Sequence, residues 1–215
     1  MKTPFTIEQF LEVFKSYNQA VFPIQILLQF IAIAAIFFAI KKSGYSDKLI
    51  SFILSLLWLW MGIVYHFTYF TSINNAAWLF GGLFVIQAII FFATGVLKDK
   101  LTFRFKSDVL SITGAIFILF SLIIYPMLSN FNGHVYPSTP TFGLPCPTTI
   151  FTLGLLCWAD KKRPPIVWVI PILWSVIGFA AAYSLGIKED IGLFVAGILI
   201  IILLVFREKI ILIAG

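Results

Sequence analysis

Charge is what this chain has least of. Only 11% of its 215 residues are Asp, Glu, Lys or Arg, against about 25% in an ordinary soluble domain. A disordered chain is excluded as well, because that state needs high net charge and few apolar residues, and 60% of this chain is hydrophobic. Cysteine is scarce. Cys146 and Cys157 cannot staple a small secreted fold, and no CxxC string offers a zinc or dithiol motif. His66 and His134 are the only histidines, too few for the three-histidine sites of seven-helix metal hydrolases. No GxxxxGK[ST], HExxH or GxSxG string occurs, and no internal repeat is evident. Residues 1–20 lack the apolar core of a cleavable leader, so none is expected.

Long apolar runs are what the chain has in excess. A helix needs roughly 20 apolar residues, at about 1.5 Å each, to cross a hydrocarbon layer of about 30 Å. Seven runs free of Asp, Glu, Lys and Arg qualify in whole or part: residues 21–40, 49–70, 76–97, 109–128, 148–159, 166–185 and 191–206. They are long and continuous rather than ten-residue alternations, which favours helices over a β-barrel. The expected fold is all-α: a seven-helix transmembrane bundle, one domain over residues 1–215. Ahead of it, residues 1–20 read as an amphipathic helix on the outer side. Thr6 and Gln9 have capping-box spacing, Phe5 and Phe10 are placed as a hydrophobic staple, and Phe10, Val13, Phe14 and Tyr17 share one face.

The connecting segments fix the threading. With seven crossings, 12 of the 15 basic residues fall on one side, in the segments after the first, third, fifth and seventh runs. Lys2, Lys15 and Lys188 are left on the other. The positive-inside rule makes the rich side cytoplasmic, with the N-terminus outside and the C-terminus in the cytoplasm. The formal net charge of +6 therefore marks topology and anionic lipid. The expected partners are the bilayer and a membrane protein or a second copy of the chain, with no nucleic acid.

Each run carries small or polar residues at helical spacing, such as Gln25 and Gln29, Gly62, His66 and Tyr69, Gly114, Ser121 and Tyr125, and Gln87 alone. These serve close helix packing and interhelical hydrogen bonds, or else line a polar path. No intramembrane carboxylate or lysine is present to couple protons. Pro171 is expected to kink the sixth run.

The outer segment 129–147, SNFNGHVYPSTPTFGLPCP, has no charged residue and four prolines. It is expected to fold back into the outer mouth of the bundle rather than hang free. Threading brings His66, Tyr69, His134, Tyr136, Cys146, Thr148 and Thr149 to that end, and they form the candidate ligand-binding set. Glu189 and Asp190 open the seventh run at the same end, where a helix N-terminus alone would account for them. With Pro147 as the first helical residue, Cys146 would sit at the N-cap, where a helix N-terminus favours a thiolate. Thiolate and imidazole suit a soft metal ion, so His66, His134 and Cys146 are candidate metal ligands. Cys146 and Cys157, eleven residues apart on one helix, cannot pair.

Three strings, WMGIVYHFTYFTSINNAAWLFGGLFVIQ (60–87), GHVYPSTPTFGLPCPTTIFTLGLL (133–156) and PILWSVIGFAAAYSLGIKEDIGLFVAG (171–197), together with the PFTIEQF opening, resemble a family of bacterial multi-pass membrane proteins defined by a domain of unknown function. The resemblance covers nearly the whole chain. It implies a bacterial cytoplasmic-membrane protein and supplies no activity, substrate or catalytic residue. Three functions compete. One is a carrier, or an accessory to transport, for a small solute or soft metal ion. Another is a structural or interaction subunit. The third, least favoured, is a membrane-embedded enzyme using Cys146 with a histidine.

Overall fold

The structure is a computed structural model that describes residues 4–159 and 164–213, with side chains described only through Val205. Lys2, the basic cluster Lys161, Lys162 and Arg163, and the side chains of Arg207 and Lys209 lie outside the described residues. Among those described the chain is helical, with two isolated β-bridges and no strand.

Helix α1 (Ile7–Val21) begins as its sequence dictates. The Gln9 amide N–H donates to Thr6 Oγ1 at 3.3 Å, and the Thr6 N–H donates to Gln9 Oε1 at 2.9 Å. The Phe5 and Phe10 rings stack at 5.6 Å. Val13, Phe14, Tyr17 and Val21 bury one face, as their spacing predicts, while Phe10 is only half-buried. Pro23 then breaks the helix, and α2 (Ile24–Ile40) leaves at 83°.

Three longer helices follow: α3 (Ser46–Ser72), α4 (Ala77–Leu97) and α5 (Val109–Phe131). Each contains a widened π-helical stretch, at Met61–Tyr69, Phe92–Leu97 and Phe120–Ile124 respectively. The short α6 (Pro145–Cys157) lies at the centre, every residue from Pro147 to Cys157 buried. It is followed by α7 (Ile166–Ser184), a 3-10 turn at Lys188–Asp190, and α8 (Ile191–Ile213).

Four of these helices, α3, α4, α5 and α7, are long and apolar enough to cross a membrane, or five if the bent α1–α2 pair is one span. Seven crossings do not follow from helix length. Helix α2 has 17 residues and continues a bent pair, α6 has 13, and the side chains of α8 are described only in part. Loops cover the short α6 at both ends. On one side Phe142, Gly143 and Leu144 of the uncharged loop are buried above it. On the other Leu101 and Phe103 are fully buried, the Arg104 N–H donates to the Trp158 carbonyl at 2.8 Å, and Phe103 bridges Ala159. Irregular backbone is tolerated at such depth because protein covers it.

The helix polar residues have structural employment. Pro171 has no N–H for the carbonyl four residues back, Val167, and that buried oxygen instead accepts from Gln87 Nε2 at 3.1 Å. Pro126 likewise frees the Leu122 carbonyl, which accepts from Gln29 Nε2 at 3.3 Å. Ser121 donates to the Pro147 carbonyl and Ser55 to that of Ala88. Gln87 and Gln29 therefore cap carbonyls beside helix prolines, while Gln25 donates to the Asn18 carbonyl. Gln87→Leu is expected to destabilise the protein by about 1–3 kcal/mol, because a buried acceptor loses its donor. In a Pro171→Ala background, where an N–H returns to Val167, the same change is expected to cost about 1 kcal/mol less. Thermal unfolding of the four proteins in detergent checks the cycle, and strict additivity would refute the pairing.

Candidate functional site

The uncharged loop is fastened by a residue that sequence reasoning missed. Asn18, fully buried on α1, donates through Nδ2 to the carbonyls of Pro137 at 2.6 Å and Thr139 at 2.7 Å, and its Oδ1 accepts from Thr141 at 2.7 Å. Tyr136 and Gln25 donate to its backbone oxygen. The loop thus folds back onto the bundle, as its composition predicts. The signal for Asn18 in sequence is weak, since an asparagine in a helix has no partner readable from spacing. Gly143 turns with φ +99°, and a side chain there would strike Leu28 Cδ1 at 2.6 Å.

Beneath α1 this packing leaves a chamber of about 370 Å³. Its walls are Phe5, Phe10 and Phe14 of α1, the first of these just ahead of the helix, Tyr65 and Phe70 of α3, and residues between Trp174 and Ser184 of α7. At its polar end three side chains meet. Tyr125 Oη donates to Asp190 Oδ1 at 2.5 Å, and the Cys146 thiol lies beside the same carboxyl. Trp174 lies against the Cys146 sulfur, yet its Nε1 makes no full hydrogen bond.

The two acidic residues of the turn before α8 differ in state. Burial raises Asp190 above the ordinary carboxylate range, to about 7, although the hydrogen bonds from Tyr125 and Cys146 act in the other direction. Burial also opposes ionisation of Glu189. There the backbone N–H, His134, Ser129 and Asn132 outweigh it and hold the carboxyl below its usual value. His134 Nδ1 lies 2.9 Å from Glu189 Oε1, and Asn132 Nδ2 donates to Oε2 at 2.9 Å.

The candidate residues do not share one pocket. Cys146 lines the chamber under α1. His134 and Tyr136 line a separate cavity of about 540 Å³ between α2, α5 and the loop, with Tyr125 on the border of both. Tyr69 faces a third hollow beside Gln9 and Glu12 and packs its ring on Tyr17 at 5.6 Å. Thr148 Oγ1 accepts from the Gly143 N–H at 3.0 Å, and the buried Thr149 hydroxyl has no partner. His66 is fully buried in the π-helical stretch of α3, boxed by Tyr65, Phe70, Phe80, Phe84 and Trp174, with neither ring nitrogen hydrogen-bonded.

The expected metal triad is therefore not assembled. Among the described residues no three His, Cys, Asp or Glu side chains are placed to hold a metal ion. An aromatic shell isolates His66, and His134 is committed to Glu189. Cys146 also departs from its expected station. Leu144 is the N-cap and Pro145 the first helical residue, so Cys146 lies inside the first turn. Its neighbour is a carboxyl, which disfavours a thiolate, the opposite of an imidazolium that would hold one. Cys146 and Cys157 are not joined in a disulfide, as expected. What the chain assembles instead is an acid–phenol–thiol cluster, Asp190, Tyr125 and Cys146. An acidic pair at the edge of an apolar run is the sequence signal for it, but helix-terminus chemistry explains such a pair equally well.

An all-helical fold with four or five helices long and apolar enough to cross a membrane is the class this structure shows. The chain belongs to the family of unknown function DUF6064, which it matches over residues 7–213. No curated protein and no solved structure matches it.

Proposed function

We propose that this is a multi-pass protein of the bacterial cytoplasmic membrane that binds a small amphiphilic solute in an outward-facing chamber, as a carrier or an accessory to one. Seven crossings, N-terminus outside, put the basic segments on the cytoplasmic side and the chamber on the other. The observation that carries the reading is the chamber itself: about 370 Å³, roofed by α1, mostly aromatic and aliphatic on its walls, with Asp190 as its one charged side chain among the described residues. That is the composition of a small-molecule site, apolar lining with a few convergent polar groups, in the usual size range of about 300–1,000 Å³. The break at Pro23 lets α1 pack across the mouth as a roof independent of α2.

Trp174 in the wall supplies the test. Brominated alkanols are expected to quench tryptophan fluorescence with a saturable component in purified protein. Ala181→Phe, which fills the chamber from α7, is expected to remove that component while leaving the helical circular dichroism unchanged. Quenching that is linear in both proteins, as partition into detergent gives, would defeat the proposal. A reporter fusion that placed the 133–144 loop in the cytosol would defeat its orientation.

The second reading, a structural subunit that docks a partner through α1 and the loop, is favoured by one feature. Phe131 and Val135 stand 83% and 58% exposed at the loop's rim. The chamber speaks against it as the main role, since a purely structural fold has no need of a cavity of this size.

A further inference from the structure

Among the described residues lining the chamber, Asp190 is the only Asp, Glu, Lys, Arg or His. It is 3% exposed, and among the described residues it forms no ion pair; the nearest base, His134, is paired with Glu189 at 2.9 Å. The groups that face it are Tyr125, Cys146, Tyr65, Glu189 and His134, none of them a lysine or arginine. A carboxylate in such a place lacks a counter-charge. The wall around it is aromatic, with Phe10, Phe14, Tyr65, Phe70 and Trp174 presenting π-systems that attract a cation. A second polar atom is under-satisfied. Trp174 Nε1, in a side chain 7% exposed, lines the same chamber and has no hydrogen-bond acceptor beyond the weakly accepting Cys146 sulfur. Cys146 neighbours both Asp190 and Trp174, so the acid and the indole N–H belong to the same end of the chamber.

We propose that the chamber binds a lipophilic amine that carries an oxygen close to its nitrogen: the ammonium pairs with Asp190, the oxygen accepts from Trp174 Nε1, and the apolar body lies among the phenylalanines of α1. An anionic solute is excluded by the buried carboxylate, and a plain hydrocarbon leaves both polar atoms unsatisfied. A metal ion is a poor occupant, because Asp190 and Cys146 are the only hard or soft ligands at that end and no third joins them among the described residues. This inference rests on the chamber being a solute site and specifies its ligand.

The test uses the full chain in an uncharged maltoside detergent. Phenylalaninol, its neutral N-acetyl derivative and the anion hydrocinnamate are titrated against the intrinsic tryptophan signal and by calorimetry. Phenylalaninol is expected to bind at least about tenfold tighter than the N-acetyl compound, the order that one desolvated ion pair over an aromatic wall supplies, and hydrocinnamate is expected not to bind. Asp190→Asn is expected to bring phenylalaninol and its N-acetyl derivative to equal affinity. Trp174→Phe is expected to weaken phenylalaninol while leaving phenylpropylamine, which lacks the oxygen, unchanged. If the amine and its N-acetyl derivative bind alike to the wild type, the cation proposal is overturned while the solute site stands. If brominated alkanols also fail to saturate, the solute site itself falls. Because the decisive comparison is between ligands on the wild-type protein, it does not depend on either variant folding.

Discussion

Gly154→Leu is expected to leave no folded protein, and even Gly154→Ala to cost roughly 2–4 kcal/mol, at or beyond the usual range for overpacking. The reason is a backbone-to-backbone contact between α5 and α6. A Cβ on Gly154 would come to 2.8 Å from the Gly114 carbonyl oxygen and 3.1 Å from the Ile118 nitrogen. A Cβ on Gly114 would come to 2.5 Å from the Gly154 carbonyl oxygen and 2.8 Å from Cys157 Cβ. Each glycine thus receives the other's backbone, and main chain cannot swing aside as a long side chain can. Small residues permit this approach between membrane helices, where dispersion between close-packed surfaces takes the place of the hydrophobic drive. The displaced helix would be α6, whose first turn carries Cys146, so the chamber would be lost with the packing. Gly82→Ala is the matched control. Nothing lies within 4 Å of its would-be Cβ, and alanine in a helix interior is favoured by about 1 kcal/mol. Fluorescence-detected gel filtration after a heating series separates the outcomes. A Gly154→Ala protein as stable as wild type would show that the helices slide apart at little cost.

The contrast between Gly114 and Gly154 illustrates what sequence could and could not tell. Gly114 stands in a stripe with Ser121 and Tyr125, and close packing of that face follows from its period. Gly154 belongs to no stripe, and only the partner helix reveals its role. Element existence was legible throughout because a charge-free run in a chain of this composition has little choice but to be helical. The start of α1 was legible to the residue, since a capping box is local chemistry. Helix ends and crossings were less so. Pro145 rather than Pro147 opens α6, because two prolines compete for the first turn and the local sequence does not rank them. The site was the least legible part. His66 and His134 draw attention as rare titratable residues, yet rarity does not predict contact. The π-helical winding turns His66 into an aromatic box, and Glu189 claims His134. Asp190, Tyr125 and Asn18 are ordinary residues whose importance comes from pairings across 65 residues or more, as Tyr125 with Asp190 and Asn18 with Pro137 show.

Asp190 also gives the protein a pH dependence of unusual sign, and Asp190→Asn is expected to erase it. In the folded chain burial holds the proton to about pH 7, whereas the ordinary value is 3.8. Between those limits the folded state binds more protons than the unfolded one, so stability falls as pH rises from about 4 to 7 and is level above. A separation of about three pH units corresponds to about 4 kcal/mol as an upper figure. Glu189 acts in the opposite sense, because its carboxyl is held below the ordinary value; its contribution is lost only as the pH drops below about 4.5 and leaves the Asp190 window clear. The wild type is therefore expected to melt several degrees higher at pH 5 than at pH 8. The asparagine of the Asp190→Asn variant keeps an acceptor for Tyr125 and Cys146 without the charge, so that variant should match or exceed the wild type at pH 8 and show no slope. Tyr125→Phe, which removes a donor to the carboxylate, should move the falling limb to higher pH. Equal destabilisation of Asp190→Asn at both pH values would mean that the carboxylate is ionised throughout and that its charge already has a partner. A bound ammonium would supply that partner, so the proposed amines are expected to raise the melting temperature most at pH 8, where the empty chamber holds an uncompensated anion, and least at pH 5, where Asp190 is already neutral. The stability profile and the ligand preference are in this way two readouts of one buried charge.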